Sequence, residues 1–264
     1  MAETTGISWT DSTINFWIGC TKVGPGCQNC YAEAMNHRFG GGNWGAGAPR
    51  KRTAQATRNN LLKWQREADK TGVRRKVFIN SMSDFWDNEV PIEWREEDAV
   101  VMAACDGLDL QLVTKRIGNV PKLLPRAWSS HWPAHVWQMI TVCNHDEYLR
   151  DTPKLAPVID MGCKVTGLSA EPLLGPIRVG AYADMLKWVI VGGESGSFAR
   201  RYNIEWAMDI ADNCSQYGIA FFHKQLGSRP VGVDGRPIYT KDRSGTHSGD
   251  WPKNLCRQEF PVAA

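Results

Sequence analysis

The chain has 264 residues, of which 42% are hydrophobic and 22% are charged, values typical of a soluble globular protein. Its formal net charge of +3 is too small to indicate nucleic-acid binding by itself. The start of the chain has neither a basic nor an apolar stretch, which argues against a signal peptide, and no apolar run reaches the roughly 18 residues of a membrane helix. We therefore expect a cytoplasmic protein without membrane contact, in which thiols stay reduced.

The first predicted element is an extended segment over residues 7–18. Its aromatic side chains Trp9, Phe16 and Trp17 are suited to burial in a core. The segment leads into a loop over residues 19–31 that carries three of the eight cysteines. This loop is the part of the sequence that points most directly to a chemical function.

The loop spaces Cys20, Cys27 and Cys30 as Cys-x6-Cys-x2-Cys. Glycines and a proline fill its longer gap, so the backbone can fold closely around a compact metal centre. A structural zinc site needs four ligands, whereas an iron–sulfur cluster on three cysteines leaves one iron open to a substrate or cofactor. Spacing alone leaves two interpretations open, an open iron–sulfur cluster or a zinc site completed by His37 or a more distant residue.

Beyond the loop, helical periodicity begins at Tyr31 and is broken by the glycine-rich residues 40–47, which we expect to form a flexible surface excursion. The basic run 50–52 indicates a solvated surface, with a phosphate contact as the alternative. An amphipathic helix is predicted over residues 59–70.

From residue 76 onward, short apolar runs alternate with helical patterns. Such alternation indicates a parallel sheet built from βα units. With the first segment included, we predict an α/β fold with a barrel or partial barrel of parallel strands rather than an open doubly wound sheet. The predicted strands cover residues 76–81, 108–116, 136–142, 163–172, 186–194 and 219–225, and the predicted helices include residues 92–104, 118–124 and 205–217.

Polar residues or glycines stand where most of these apolar runs end. In a barrel the C-terminal ends of the strands carry the active site, so we predict that these residues and the cysteine loop share one cavity. The glycine-rich segment 192–196 matches neither dinucleotide nor phosphate-loop spacing and suits close approach of a ligand to bare backbone. The strand-end residues are Asn80, Ser81, Thr114, Lys115, Arg116, Glu171, Gly192, Gly193, Glu194, Ser195, His223, Lys224 and Gln225.

The sequence changes character after residue 228, where it becomes polar, glycine-containing and without clear periodicity. We therefore predict a barrel over residues 1–228, with the cluster loop at 19–31, and an irregular C-terminal extension over residues 229–264 packed on the barrel.

Several motifs together resemble the phage three-Cys-motif family, whose members look like radical S-adenosylmethionine proteins related to spore photoproduct lyase-like enzymes. The resemblance runs from about residue 6 to about residue 228. The segments that carry it are residues 7–11, 19–33, 80–84, 112–116, 169–177, 188–196 and 224–227.

The resemblance implies a partial (β/α)6-type, TIM-like barrel of parallel strands. It also implies a [4Fe–4S] cluster on Cys20, Cys27 and Cys30, with S-adenosylmethionine bound to the open iron. One electron from a reductant such as flavodoxin or ferredoxin would cleave this cofactor to methionine and a 5′-deoxyadenosyl radical, which takes a hydrogen atom from the substrate. The cofactor supplies the difficult chemistry and the protein supplies placement. The longer first spacing departs from the commoner Cys-x3-Cys-x2-Cys of radical enzymes and leaves open how the cofactor sits.

The resemblance also implies roles for individual residues. Lys115 and Arg116 would meet the cofactor's carboxylate or a substrate phosphate, and Glu171 and Glu194 would hold ribose hydroxyls or the methionyl amine. Cys143 stands where the family tends to have an acidic residue and is a candidate hydrogen donor. Cys143 and Lys224 are the expected catalytic residues; the expected cofactor-binding residues are Tyr31, Asn80, Ser81, Asp84, Thr114, Lys115, Glu171, Gly192, Gly193, Glu194 and Ser195.

For the substrate, the resemblance favours a nucleobase, a nucleotide or DNA, in the host cytoplasm if the gene is phage-encoded. A base inside a duplex would have to be flipped out to reach such a site. Two alternatives stay open: a zinc- or cluster-stabilised nucleic-acid-binding protein without radical chemistry, and a cluster-binding chain that serves a partner protein.

Overall fold

The computed structural model describes residues 3–262. These residues form two compact units. The first contains the described residues up to Met139 together with Ala156–Val165, and the second contains Ile140–Leu155 and Thr166–Val262. The expected boundary at residue 228 stays a prediction.

The predicted fold class is confirmed, because the main sheet is a parallel sheet of seven strands in a partial TIM-like barrel with the order β1-β4-β5-β6-β7-β8-β10. Two further sheets have two strands each, β2 with β3 and β9 with β11. The strands are β1 (Ser12–Ile14), β2 (Trp17–Ile18), β3 (Lys51–Arg52), β4 (Arg75–Ile79), β5 (Leu108–Thr114), β6 (Val136–Thr141), β7 (Thr166–Ala170), β8 (Trp188–Gly192), β9 (Tyr202–Asn203), β10 (Ala220–Gln225) and β11 (Pro230–Val231).

The longer predicted helices are present, whereas three further short helices, at residues 55–58, 145–151 and 156–160, were not predicted. The longest are amphipathic or half-buried, as expected for helices that cover a sheet. The α-helices are α1 (Tyr31–Arg38), α2 (Gln55–Arg58), α3 (Asn60–Thr71), α4 (Ile92–Ala103), α5 (Val120–Leu123), α6 (His145–Asp151), α7 (Ala156–Asp160) and α8 (Ile204–Tyr217).

In the first unit, strand β5 is covered on both faces, since six of its seven residues are buried, including the polar Asp109 and Gln111. Helix α3 buries Leu61, Trp64 and Ala68, which recur at helical spacing. It ends at Gly72, whose φ of 69° is left-handed and whose N–H donates to the Ala68 carbonyl, the usual glycine C-cap.

Tryptophan supplies much of the core, since nine of the twelve tryptophans are buried. In the first unit, Trp17, Phe85, Trp128 and Trp132 form a chain of ring contacts, with centroids 5.6, 5.9 and 5.1 Å apart. Such pairs contribute about 0.5–1.5 kcal/mol each beyond the area that they bury. The buried tryptophans therefore serve packing.

In the second unit, β7, β8 and β10 pair in parallel. Helix α8 begins at Asn203, whose side chain accepts the Glu205 N–H, and ends at the left-handed Gly218. The chain after β11 is irregular and contains two short 3-10 helices. Its last part runs antiparallel beside β10, with Phe222 opposite Gln258, and so covers the edge of this strand.

The basic run 50–52 is a solvated surface only in part, which corrects that interpretation, because Lys51 is exposed but Arg50 is buried. A second basic run, residues 74–76, is exposed to half-buried and is paired with acidic side chains. The Arg50 side chain is 1% exposed and pairs with Asp87 at 2.8 Å. Within the other run, Arg74 pairs with Asp109 at 2.8 Å. The other pairs in these runs include Arg50 with Glu89, Arg52 with Glu97 and Asp98, Arg75 with Glu67, and Lys76 with Asp11.

Within residues 3–262, no helix combines the length and apolar character needed to cross a membrane.

Candidate functional site

The cysteine loop lies between strand β2 and helix α1 in the first unit. A 3-10 turn over Pro25–Cys27 shapes its middle, and Cys30 is the residue that precedes the first turn of α1. The thiols of Cys20, Cys27 and Cys30 are all free and half-buried. One short loop therefore presents three thiols that are accessible but not fully solvated.

Close backbone contacts hold the start of the loop. Gly19 has a φ of 116°, and a Cβ at this position would lie 2.3 Å from the Asn43 carbonyl oxygen. Glycine is thus required here by both conformation and space. The next residue, Cys20, accepts a hydrogen bond from the Gly45 N–H at 2.9 Å. The glycine-rich excursion consequently packs against the first cysteine.

A buried arginine ties this excursion to the loop. The Arg50 guanidinium donates to the Asp87 carboxylate at 2.8 Å, to the Thr21 hydroxyl at 2.7 Å and to the Ala48 carbonyl at 3.0 Å. Thr21 in turn donates to Glu89 at 2.6 Å, which is the largest cause of the lowered pKa of that carboxyl. The residue after Cys20 is therefore fixed from two sides.

Asp84 brings several expected site residues together at the end of strand β5. Its buried carboxylate accepts the Thr114 hydroxyl at 2.8 Å and the Lys115 N–H at 3.1 Å. It also accepts the Trp86 N–H at 2.9 Å and contacts Arg116 Nη1 at 3.4 Å. Asp84, Thr114 and Lys115 thus form one connected polar group.

Asn80, Ser81 and Tyr31 lie in the same unit. Asn80 adopts a left-handed φ of 61°, its side-chain oxygen accepts the Phe16 N–H at 2.9 Å, and its buried Nδ2 has no hydrogen-bond partner among the described residues. The Ser81 hydroxyl accepts from Asn15 at 3.1 Å, and the Ser81 carbonyl accepts from the Tyr31 hydroxyl at 2.8 Å. These residues join the end of β4 to the start of α1.

Arg116, which we expect to meet the cofactor carboxylate or a substrate phosphate, contacts the cysteine loop. Its Nη1 donates to the Cys20 sulfur at 3.3 Å and its Nη2 donates to the Thr21 carbonyl. Burial raises the pKa of the Cys20 thiol to about 12, the nearby Asp84 charge adds to this rise, and Arg116 opposes it. Because the sequence separation of this contact is 96 residues, no local pattern could have revealed it.

In the second unit, Glu171 and Lys224 form an ion pair of 2.9 Å with both side chains largely buried. Glu171 follows strand β7 and Lys224 lies near the end of β10, as the sequence predicts for strand-end residues. A Cβ on Gly192 would lie 2.8 Å from the Glu171 carboxylate. The bare backbone at Gly192 therefore makes room for this acid.

Gly193 and Glu194 also have partners within the second unit. The Gly193 carbonyl accepts from the Gln225 side chain at 2.9 Å. The Glu194 carboxylate accepts from Arg200 Nε at 3.0 Å and Nη2 at 2.7 Å, a bidentate arrangement. Ser195 is exposed. Arg200 was missed by the sequence analysis, which carried no signal for it.

Cys143 follows strand β6, directly before helix α6. Its thiol is buried, its N–H donates to the Glu147 carboxylate at 2.8 Å, and its carbonyl accepts from Leu174 N at 2.8 Å. The backbone at this position is thus held on both sides.

His223 ends its apolar run in a fully buried position. Its Nε2 lies 2.9 Å from the Tyr202 hydroxyl, and its ring packs edge-on against Trp251 with centroids 4.4 Å apart. Burial lowers the pKa of His223 to about 3. Tyr202 was not predicted as a site residue. Its hydroxyl is the hydrogen-bond partner of His223 Nε2, and within residues 3–262 the other ring nitrogen, Nδ1, has no hydrogen-bond partner.

A family described as Protein of unknown function (DUF5131) matches residues 4–249 of the chain. The chain belongs to this family. Comparison of this DUF5131 member with curated proteins gives no significant match.

Among solved structures, this DUF5131 member is similar to mutants of spore photoproduct lyase. One, with bound AdoMet and dinucleoside spore photoproduct, has 13% sequence identity and a TM-score of 0.46 over 91% of this chain and 61% of that chain. Another has 12% identity and a TM-score of 0.46 over 82% of this chain and 65% of that chain. The chain thus spans less than two thirds of the length of these lyases.

The donor set of this DUF5131 member fits an iron–sulfur cluster in its chemistry. Three free thiols on one loop are the soft ligands that such clusters take. In addition, the Arg116 guanidinium donates a hydrogen bond to the Cys20 sulfur. For a single metal ion, no group of three His, Cys, Asp or Glu side chains is found in the part of the chain that the structure describes. In a [4Fe–4S] cluster, by contrast, each thiolate binds a different iron.

Proposed function

We propose that this protein is a radical S-adenosylmethionine enzyme whose [4Fe–4S] cluster is held by Cys20, Cys27 and Cys30. The observation that carries the proposal is the loop with three half-buried free thiols at Cys-x6-Cys-x2-Cys spacing. The absence of a fourth cysteine from this loop suits a cluster with one open iron. When bound, the cluster and S-adenosylmethionine would supply one-electron cleavage and abstraction of a hydrogen atom from the substrate.

For cofactor binding, we assign the polar residues of the first unit. The Asp84 carboxylate is held by Thr114 and the Lys115 N–H, which leaves its position well defined. Lys115 is half-buried, so its ammonium group can meet a carboxylate with limited competition from water. Asn80, Ser81 and Tyr31 complete this assignment.

In the second unit, we assign Glu171 and the glycine-containing segment Gly192, Gly193, Glu194 and Ser195 to the ribose and methionyl groups of the cofactor. The bare backbone of Gly192 beside the Glu171 carboxylate supports this role. Arg200 binds the Glu194 carboxylate in a bidentate manner. We therefore assign two roles to Glu194: it anchors the glycine-containing segment, and it accepts a hydrogen bond from a ribose hydroxyl of the cofactor.

As catalytic residues, we assign Cys143 and Lys224. The Cys143 thiol is buried beside a fixed backbone, which protects a hydrogen donor from solvent. Glu171 pairs with the Lys224 ammonium at 2.9 Å, so this cation is held in position. Lys224 would orient an anionic or carbonyl group of the substrate.

For the substrate, we propose a nucleobase, carried by a nucleotide or by DNA, on the basis of the sequence resemblance. The internally paired basic runs give this proposal no support. A flavodoxin or ferredoxin would deliver the electron, and the setting would be the cytoplasm. We do not assign a partner protein; dependence on one is an outcome of the experiment below.

The test is anaerobic reconstitution with iron and sulfide, followed by dithionite and S-adenosylmethionine, with 5′-deoxyadenosine measured by chromatography. We expect about four irons and four sulfides per chain, and 5′-deoxyadenosine from the wild type. Cys20→Ser, Cys27→Ser and Cys30→Ser should each abolish both. Cys256→Ser is the matched control, because Cys256 is an exposed free cysteine outside the loop.

Three results would contradict the proposal in different ways. A colourless protein that binds zinc and no iron would favour the nucleic-acid-binding alternative. Cluster loss in Cys256→Ser would indicate that Cys256 is a fourth ligand and that no iron is open. Iron binding without cofactor cleavage, unchanged by added nucleotides, duplex DNA or a cell extract, would overturn the enzymatic function and favour a chain that serves a partner.

A further inference from the structure

Arg116 is a buried cation whose hydrogen bonds point at the first cysteine of the loop. Its Nη1 donates to the Cys20 sulfur at 3.3 Å, and its Nη2 donates to the Thr21 carbonyl. Only 8% of the residue is exposed. Arg116 stands two residues after Thr114, the last residue of strand β5. The sheet therefore fixes the position of the Arg116 backbone.

The orientation of this guanidinium is determined by its neighbours. Asp84 contacts Nη1 at 3.4 Å, and Thr114 accepts the Arg116 N–H at 2.8 Å while donating to Asp84. Arg116 is therefore held by its own backbone, by Asp84 and by the loop carbonyl. A side chain held in this way keeps its donor on the sulfur without a large entropic cost.

The negative charge of Asp84 opposes this effect at the Cys20 sulfur, but Asp84 is present with or without the Arg116 guanidinium, so the effect of Arg116 is measured against it. Its carboxylate also accepts hydrogen bonds from Thr114, from the Lys115 N–H and from the Trp86 N–H. These hydrogen bonds partly compensate the negative charge of the carboxylate. Arg116 Nη1 is, moreover, the atom in direct contact with the sulfur, and charge-assisted hydrogen bonds are roughly twice as strong as neutral ones.

We propose that Arg116 is a positioning residue that raises the reduction potential of the cluster by donating a charge-assisted hydrogen bond to the Cys20 sulfur. This inference rests on the proposed function. One-electron reduction adds negative charge to a cluster and its sulfur ligands, and a cationic donor in a buried environment stabilises that charge. Hydrogen bonds to cluster sulfurs are one of the means by which a protein sets the potential.

A purely structural role for Arg116 makes a different prediction, and Arg50 provides the matched control. Arg50 is also a buried arginine that holds the same loop, through the Thr21 hydroxyl at 2.7 Å and Asp87 at 2.8 Å. Its other hydrogen bonds go to the carbonyls of Asn43, Gly45 and Ala48. Loss of loop anchoring should therefore affect both arginine variants, whereas loss of the sulfur hydrogen bond affects only Arg116.

The experiment is a redox titration of the reconstituted cluster, followed by electron paramagnetic resonance, in the wild type, Arg116→Gln, Arg116→Lys and Arg50→Gln. At a fixed ambient potential we expect the ratio of reduced to oxidised cluster to fall about tenfold in Arg116→Gln, which for a one-electron couple is a negative shift of about 59 mV. Arg116→Lys should restore part of the shift because it keeps a cationic donor. Arg50→Gln should keep the wild-type potential.

Each outcome decides between the inference and its alternatives. A wild type that binds no cluster overturns the proposed function and this inference with it. A wild-type cluster whose potential is unchanged in Arg116→Gln overturns the inference alone, as does an equal shift in Arg50→Gln. If Arg116→Gln binds no cluster, the comparison passes to Arg116→Lys, and loss of the cluster there too would make Arg116 an assembly residue and overturn the tuning role.

Discussion

The buried histidine of strand β10 shows how a single residue can make stability depend on pH. His223 is fully buried, and burial lowers its pKa from 6.5 to about 3. An unfolded chain takes up the proton near pH 6.5, whereas the folded chain does not until near pH 3. The contribution of neutral His223 to stability is therefore complete above the unfolded pKa and is lost as the pH falls towards the folded one.

We predict that the stability of the wild type relative to His223→Gln falls as the pH is lowered below about 6, by up to about 1.4 kcal/mol per pH unit. Glutamine cannot take up this proton but can still pair with Tyr202. Urea unfolding of both proteins between pH 4 and 8 measures the difference. Tyr202→Phe is the control and should lose stability while it keeps the wild-type slope. A difference that does not vary with pH would contradict the prediction.

At the level of the element, strand β10 and the C-terminal segment illustrate how an exposed sheet edge is covered. The Glu259 N–H donates to the Phe221 carbonyl at 3.0 Å, and the His223 N–H donates to the Arg257 carbonyl at 2.9 Å. The Trp188 indole N–H donates to the Glu259 carbonyl at 2.9 Å. An open strand edge invites pairing with other chains, so this segment protects the sheet as well as packing on it.

Glu259→Pro should therefore be less stable than Glu259→Gln by about 1–3 kcal/mol. Both variants lose the side-chain charge beside Arg257, but proline alone removes the N–H donor and fixes φ. Urea midpoints, together with light scattering for aggregation, test this difference. Equal midpoints and no aggregation of the proline variant would show that the backbone bond to Phe221 contributes nothing.

For the whole molecule, the distribution of charge matters more than its sum. The chain has 31 basic and 28 acidic residues, and within the first unit the basic runs face acidic partners. Arg74, for example, donates to the Asp109 carboxylate at 2.9 Å and to the Leu108 carbonyl at 2.7 Å. Cations of this kind are already neutralised by carboxylates within the protein. They are therefore not available to neutralise DNA phosphates and should add little to DNA affinity.

We predict that Arg74→Ala leaves the salt dependence of binding to random-sequence duplex DNA unchanged, while it lowers stability by at most about 1 kcal/mol, because the pair is partly exposed. Arg74→Lys keeps the charge and is the matched control, with the same salt dependence. The slope of log affinity against log salt measures the effect. A slope reduced by about one in Arg74→Ala alone would assign Arg74 to a phosphate contact.

Much of the fold could be predicted because it depends on local pattern. The helices at Asn60–Thr71 and Ile204–Tyr217 follow the spacing of their apolar residues. The strands follow short apolar runs such as Leu108–Thr114. The burial of one helix face, or of a whole strand, is encoded within about ten neighbouring residues. Alternation of strands and helices along the chain then implies a parallel sheet.

The sequence by itself determined the strands of the main sheet, the longer helices and the presence of three cysteines on one glycine-containing loop, since these are local properties. Only the tertiary structure decided the partners of the charged groups. Arg50 meets Asp87 across 37 residues and Arg116 meets Cys20 across 96. Such contacts depend on the path of the whole chain, because an ion pair or a hydrogen bond has no periodicity that a short segment could carry.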